Sequence, residues 1–256
     1  MMGVRPKKHL GQHFLTDDSI SFRIADALNC GSNDLVLEIG PGTGVLTRFL
    51  IEEDYKLNLC EIDNESVEYL NEHYPELKNR ILNEDFLKID LWDRFKQPIH
   101  IIGNFPYNIS TQILFKVYDN KDVVPQVVGM FQKEVAKRIA SGPGNKQYGI
   151  LSVLLQAFYK IDYLFSVPPG SFYPPPKVES GVIKLVRNQV EDLKCSTPFF
   201  KTVVKTAFNQ RRKTLRNALK PLLVDKNKDD IPFLDKRAEQ LSVHQFEELA
   251  ALLEKS

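Results

Sequence analysis

The run Leu35-Val36-Leu37-Glu38-Ile39-Gly40-Pro41-Gly42-Thr43-Gly44 decides how this chain is read. Its first half is apolar and rich in branched residues, which suits a buried strand. Three alternating glycines follow, and then helical spacing at Val45, Leu46, Phe49 and Leu50. Strand, tight glycine turn and helix form the first unit of a doubly wound α/β sheet. Ligands of such sheets sit at the carboxyl ends of the strands, beside a helix N-terminus. Glycine in that turn permits positive φ and close approach of backbone to a ligand. The spacing G-x-G-x-G is neither the dinucleotide fingerprint G-x-G-x-x-G nor a G-x-x-x-x-G-K-[ST] phosphate loop. A structural turn without a ligand is the competing reading, because glycines are common in turns.

Around this unit there is chain enough for one large domain, or one large and one small. The sequence has 256 residues, of which 43% are hydrophobic and 26% charged, an ordinary balance for a globular protein. The net charge of +1 gives no global field of the kind that marks a nucleic-acid binder, so the distribution of charge matters more than its sum. Cys30, Cys60 and Cys195 lie far apart, and no C-x-x-C or Cys/His spacing points to a metal site. Such scarcity fits a reducing compartment. The stretch Met1 to Leu15 is charged and lacks an apolar signal-peptide region, and no apolar run approaches a membrane span. These features predict a cytoplasmic protein.

Downstream of the glycine turn, Leu57 to Asp63 reads as a second strand ending in acids, with Glu61 placed 17 residues beyond Gly44. A carboxylate there can accept hydrogen bonds from both hydroxyls of a ribose. Arg80 to Asn83 is a short third strand, and Asp85 beyond it could accept from the amino group of an adenine beside Phe86. Ile99 to Gly103 is a fourth strand running into Asn104-Phe105-Pro106-Tyr107. Pro106 holds Phe105 extended and stops the strand. The Asn104 side chain and the Phe105 carbonyl then supply two acceptors beside the flat face of Tyr107, which together can hold a planar amine. Val123 to Phe131 reads as a fifth strand, the turn-rich Ser141 to Gly149 as a mobile lid or substrate contact, and Gly181 to Val186 as the strand that closes the sheet. The proline-stiffened stretch Pro168 to Ser180 reads as a rigid arm presenting Phe172 to the site.

Beyond Asn188 the character changes. From Lys194 to Leu219 there is no acid, while Lys201, Lys205, Arg211, Arg212, Lys213 and Arg216 accumulate among helical apolar positions. Phe208 to Asn217 is the most basic helix, a phosphate-binding candidate because nothing compensates its charge. The domain boundary is expected near residue 188.

Taken in order, Gln12-His13-Phe14-Leu15, the run Glu38 to Gly44, Glu61, Asp85, Asn104-Phe105-Pro106-Tyr107, the segment Phe172 to Val178, and Phe208-Asn209-Gln210-Arg211-Arg212-Lys213 resemble the ribosomal RNA adenine N6,N6-dimethyltransferases of the small subunit. The resemblance covers nearly the whole chain. It implies an α/β, Rossmann-like S-adenosylmethionine-dependent methyltransferase sheet, residues 1–188, with a small C-terminal all-α domain that contacts RNA, residues 189–256. It implies dimethylation of two adjacent adenosines in a hairpin loop near the 3′ end of 16S ribosomal RNA during small-subunit biogenesis. The partners would be that RNA and the pre-30S particle, with no membrane and with a monomeric enzyme. By the same resemblance His13, Leu15, Gly40, Glu61, Asp85 and Asn104 contact S-adenosylmethionine. Asn104, Phe105, Pro106, Tyr107 and Phe172 carry catalysis, Arg211, Arg212 and Lys213 bind RNA, and no metal is needed. One departure is visible: the family's usual Gln-Asn-Phe-Leu is Gln-His-Phe-Leu here. The alternatives are another RNA or DNA adenine methyltransferase, a dinucleotide-dependent oxidoreductase, and an RNA-binding assembly factor without methyl transfer.

Overall fold

The structure, a computed structural model, describes residues 4–224 and 227–255. The first three residues of the basic N-terminal tail lie outside it. Along the chain the strands are β1 (Phe14–Leu15), β2 (Leu35–Ile39), β3 (Lys56–Cys60), β4 (Ile81–Leu82), β5 (Ile99–Asn104), β6 (Gln126–Gln132), β7 (Tyr159–Val167), β8 (Phe172–Tyr173) and β9 (Ser180–Arg187). Seven of them form one sheet in the order β4-β3-β2-β5-β6-β9-β7, and β1 pairs with β8 in a separate two-stranded ribbon.

β2, formed by the run Leu35–Ile39, lies third in this order, between β3 and β5. All five residues of β2 are buried, as expected for a parallel strand covered on both faces. β3 lies parallel to β2 on one side and β5 on the other, so the strand order reverses at β2. Such a reversal opens a crevice at the carboxyl ends, where ligands of open α/β sheets bind.

Two expectations change. Gly181 to Val186 does not close the sheet: β9 inserts antiparallel beside β6, and β7 takes the edge. Regular helix after the glycine turn is confined to Thr47–Leu50, because the turn consumes the residues before it, Gly44 N donating to the Pro41 carbonyl (2.9 Å).

By its internal contacts the chain divides into Met1–Ala136 with Ile161–Arg187, and Lys137–Lys160 with Asn188–Ser256. The sequence placed a single border near 188. Residues 137–160 group instead with the C-terminal part.

In the first unit, an apolar core joins Val36, Leu57, Leu59, Ile102, Val128 and Val182 from the sheet with Ile20 and Ile24 of the helix Asp18–Asp26. Each such side chain contributes about 1.5–3 kcal/mol when fully buried. Asp17 starts that helix by accepting from the backbone N–H of Ser19 (3.0 Å) and Ile20 (3.2 Å).

The second unit is helical among its described residues, apart from Tyr159–Lys160 of β7 and an isolated bridge between Thr214 and Arg237. Its helix Thr197–Asn209 buries Phe200, Val203, Val204 and Ala207, one face at helical spacing. The ring of Phe208 stacks on Phe246 with centroids 5.8 Å apart. The basic stretch is not one helix. It ends at Asn209, and Arg211 to Lys213 form a turn before the short helix Leu215–Ala218. The pairing of Thr214 with Arg237, extended by Leu215 N donating to the Lys236 carbonyl (2.7 Å), holds the backbone out of helical geometry there.

Candidate functional site

A cavity of about 170 Å³ opens at the carboxyl ends of β2, β3 and β5, where the order of strands reverses. Of the residues singled out from the sequence, it is lined by His13, Gly40, Glu61, Asp85, Asn104, Phe105, Pro106 and Tyr107. They converge because parallel strands deliver their terminal residues to one edge of a sheet.

Leu15 and Phe172 are not in that lining. They face each other across β1 and β8, both buried (3% and 4% exposed), and join the apolar core. Side chains alternate along a strand, so the same pairing sends Phe14 toward the cavity and leaves Tyr173 exposed. The expected arm therefore does not present the Phe172 ring to the site. Arg211, Arg212 and Lys213 belong to the second unit. Arg211 Nη2 donates to the Asn145 carbonyl (3.3 Å) and its Nε lies 3.7 Å from Glu239, whereas the side chains of Arg212 and Lys213 have no partner among the described residues. The loop Ser141 to Gly149, expected to be a lid, is tied within this unit, with Gly144 N donating to the Glu239 carbonyl (2.7 Å).

The glycine turn does something different from what its spacing suggests. Gly40, Gly42 and Gly44 all have positive φ, 67°, 58° and 79°. A Cβ on Gly42 would lie 2.7 Å from the Phe14 ring and one on Gly44 2.5 Å from Tyr74, so these positions need glycine for packing inside the protein. Their N–H groups are also engaged: Gly40 with the Cys60 carbonyl (2.9 Å), Gly42 with Glu61 Oε2 (3.1 Å) and Gly44 with the Pro41 carbonyl. A buried carboxylate therefore sits against the loop where a phosphate would otherwise bind.

Glu61 is 4% exposed. Burial pushes its carboxyl above the usual range, while the N–H groups of Asp63 (2.9 Å) and Gly42 pull the other way. A carboxylate has about four lone-pair sites. These two bonds leave acceptor capacity toward the cavity. Glu38, beneath it, accepts from Thr47 Oγ1 (2.6 Å), and burial pushes its carboxyl up to about 8. At neutral pH Glu38 is mostly protonated. Cys60 also lines the cavity, and burial raises its thiol to about 12, so it offers no thiolate.

The wall formed by β5 is oriented by the N-terminal segment. Asn104 Nδ2 donates to the His13 carbonyl oxygen (2.9 Å). A carbonyl can only accept, so the amide nitrogen must face it and Oδ1 points away. His13 Nδ1 donates to the Pro174 carbonyl (2.7 Å), and its ring lies 5.5 Å from that of Tyr107. The segment is clamped further along, where Lys7 Nζ and Gln12 Nε2 both reach the Asp63 carboxylate. Burial raises the Asp63 carboxyl, but hydrogen bonds from Lys7, Gln12 and Ser66 outweigh it and hold the group below the ordinary range.

Beneath the wall, Phe105 is 1% exposed and its ring fills space left by two glycines. A Cβ on Gly103 would lie 2.8 Å from that ring and one on Gly129 2.3 Å. The ring thus anchors the strand end, and Phe105 is one of the residues that line the cavity.

Some lining residues carry no isolated signal in the sequence. Ile62 is 53% exposed although apolar, and it joins Phe86, which the sequence already placed beside the expected adenine, in giving the cavity apolar surface near Glu61. Ser180 Oγ meets Tyr107 Oη at 2.5 Å, a contact made possible only by the placement of β9 beside β6.

Away from the cavity, Cys30, Asp34 and His100 bring ligand-type atoms within 4.8 Å of one another. Gln126 fixes the tautomer. Its Oε1 accepts from Asn29 N (3.3 Å), so its Nε2 donates to the Asn29 carbonyl (2.8 Å) and to His100 Nδ1 (3.3 Å). His100, held neutral by burial, keeps its proton on the Nε2 that faces Asp34. A metal on Nε2 would require the opposite proton arrangement.

Comparison with known proteins adds three findings. Residues 3–255 match the family model described as ribosomal RNA adenine dimethylase. The chain is 58% identical to a ribosomal RNA small subunit methyltransferase A of Parabacteroides distasonis, over 98% of this chain and 95% of the relative. The Flavobacterium johnsoniae protein of the same name is 56% identical, over 96% and 95%. Among solved structures, a dimethyladenosine transferase from Plasmodium falciparum superposes with a TM-score of 0.76 at 26% identity, covering 93% of this chain and 96% of that one. The 23S rRNA methyltransferase ErmE shares the fold, with a TM-score of 0.70 at 21% identity and coverage of 95% and 100%.

Proposed function

This chain belongs to the ribosomal RNA adenine dimethylase family, and from that premise we propose how its residues divide the work. It is an S-adenosylmethionine-dependent methyltransferase that dimethylates N6 of adenine in small-subunit ribosomal RNA. We propose that the targets are two adjacent adenosines in a hairpin loop near the 3′ end of 16S RNA. The RNA would be presented in a pre-30S particle to a monomeric, cytoplasmic enzyme. The first unit would hold the methyl donor and the target base, and the second would contact RNA.

The residues at the cavity fit the donor. Glu61 has acceptor capacity for a vicinal diol, Ile62 and Phe86 supply apolar surface for an adenine, and Asp85 can accept from its amine. Asp85 Oδ1 already accepts from Leu87 N (3.0 Å), which fixes its direction. His13 and Gly40 would border the rest of the molecule. Leu15, buried in the core, would act through the backbone of the segment that carries His13. The N–H groups of Gly40, Gly42 and Gly44 are engaged within the protein and so are not free to hold a pyrophosphate, which disfavours a dinucleotide oxidoreductase.

When bound, S-adenosylmethionine supplies a methyl group on a positively charged sulfur. The nitrogen it must meet is a poor nucleophile, because its lone pair is delocalised into the adenine ring. Asn104 Oδ1 and the Phe105 carbonyl would accept its N–H groups and turn the lone pair toward the methyl. Tyr107 would stack on the base, a contact worth roughly 1–3 kcal/mol. Pro106 keeps the backbone extended so that these groups face one side. Alignment of this kind lowers a barrier by several kcal/mol without a metal or a covalent intermediate. The target base must be unpaired or flipped out to enter.

The observation that carries the catalytic assignment is the Asn104 amide, held by the His13 carbonyl so that its oxygen faces outward. The test is mass spectrometry of modified nucleosides from small-subunit RNA incubated with and without the protein. N6,N6-dimethyladenosine should appear only with protein and methyl donor. RNA binding without it would favour an assembly factor. Thermal stabilisation by S-adenosylhomocysteine but not by NAD would check the cavity.

A further inference from the structure

Ser180 begins β9 and is fully buried. Its register partner across β6 is Gln132, and beside it Lys133 N donates to the Glu179 carbonyl (2.9 Å). The next residue leaves no slack, since a Cβ on Gly181 would lie 2.9 Å from both Ala136 and Tyr163. Ser180 is thus part of the rigid sheet. Tyr107 is not: it lies in the loop between β5 and the helix Ser110–Asp119. The 2.5 Å contact between Ser180 Oγ and Tyr107 Oη joins the two. Burial raises the Tyr107 phenol, so both hydroxyls are neutral. A tyrosine side chain moves about two torsions. Fixing its far end removes the swing that the loop would allow.

We infer that Ser180 is a positioning residue that holds the Tyr107 ring as the stacking face for the target base, and that this tether matters most in the second methyl transfer to the same nitrogen. The inference rests on the reading of the site given above. In the first transfer the base is held by stacking and by two N–H bonds, to Asn104 Oδ1 and the Phe105 carbonyl. In each transfer the nitrogen lone pair forms the N–C bond, the C–S electron pair stays on sulfur, and one N–H proton passes to water. The monomethylated nitrogen therefore enters the second round with one N–H bond to offer instead of two. Stacking then carries a larger share of the orientation, and a loosened ring slows the second transfer more than the first.

The experiment compares wild type, Ser180→Ala, Tyr107→Phe and the double variant on assembly-competent small subunits, with nucleosides quantified at equal total methyl incorporated. Ser180→Ala should raise the ratio of N6-methyladenosine to N6,N6-dimethyladenosine about fivefold, the worth of one neutral hydrogen bond. Tyr107→Phe removes the same bond from its other end, keeps the ring, and should raise the ratio similarly. The double variant should add little to either, because both act through one contact. With S-adenosylhomocysteine in place of the donor, RNA carrying 2-aminopurine at the target position should be less quenched by Ser180→Ala than by wild type. An unchanged ratio, equal slowing of both transfers, or additive effects in the double variant would overturn the inference. A wild-type enzyme that makes no dimethyladenosine would overturn the underlying reading instead.

Discussion

Around the cavity, His13, Glu61, Asn104 and Tyr107 each have a polar partner between 2.5 and 3.1 Å. At the basic turn, the side chains of Arg212 and Lys213 have none among the described residues. The contrast separates two ways of recognising RNA. A reacting nitrogen must be placed to within a fraction of an ångström, so the groups that meet it are fixed by others behind them. Phosphates are met by charge, which acts over a Debye length and tolerates side-chain freedom. Defects in the first region should therefore appear as lost turnover, and in the second as altered salt dependence.

The largest effect is expected at Asn104. Asn104→Ala should reduce methyl transfer to small subunits by about 10²–10³-fold, in the range seen when one oriented polar group is removed from a reacting centre. Transfer within tenfold of wild type, with the thermal midpoint unchanged, would break the contrast.

Glu38 tests the interior beneath the same wall. Its folded carboxyl titrates at about 8 against an ordinary value of 4.5, so the folded chain keeps a proton that the unfolded chain has released. Stability is then full below the lower value, falls as pH rises between the two, and levels off above the upper one. Glu38→Gln cannot ionise and should gain on wild type from pH 5 to pH 8, by on the order of 2–4 kcal/mol. Urea unfolding of both proteins across that range measures it, and a difference constant with pH would refute it.

The basic turn is probed by Arg212→Ala combined with Lys213→Ala. The plot of log affinity for RNA against log salt should become shallower by roughly 1.4–1.8, with little change in turnover at saturating RNA. Arg211→Ala should change the slope less, because Arg211 is already shared with Asn145 and Glu239. An unchanged slope in the double variant would reduce the turn to a solvated face.

The smallest effect concerns Tyr148, whose ring packs against Phe208 in the second unit and whose buried hydroxyl has no partner among the described residues. Tyr148→Phe should stabilise the protein by up to about 1 kcal/mol, since no hydrogen bond is lost. Calorimetry showing a clear loss would mean that the hydroxyl is satisfied in solution.

What was legible in the sequence was what short-range pattern can carry. Leu35 to Ile39 announced a buried strand, and the residues just beyond four such runs turned out to share one cavity. The same logic failed where a residue's place depends on distant chain. Phe172 carries an aromatic ring in a stiff proline segment, but its direction follows from alternation against Leu15, far away in sequence. Ser180 is an ordinary serine until β9 is laid beside β6. The glycines of Gly40-Pro41-Gly42-Thr43-Gly44 were read as room for a ligand, whereas Phe14 and Tyr74 occupy the space that side chains at Gly42 and Gly44 would need. Helical spacing after Phe208 gave way to a bridge with Arg237 that no local pattern reveals.

Phe105 and the two glycines around its ring have a consequence for how this protein can vary. A side chain at Gly129 would begin 2.3 Å from the ring, and one at Gly103 would also meet the Ile39 carbonyl oxygen at 2.5 Å. With Phe131, whose ring a Cβ at Gly129 would also meet at 2.8 Å, these positions behave as one mutational unit. A library that changes them singly should record losses at Gly103 and Gly129, whereas pairing Gly129→Ala with smaller residues at both 105 and 131 should recover folded protein. Gly103→Ala should resist such rescue, because its second obstacle is backbone.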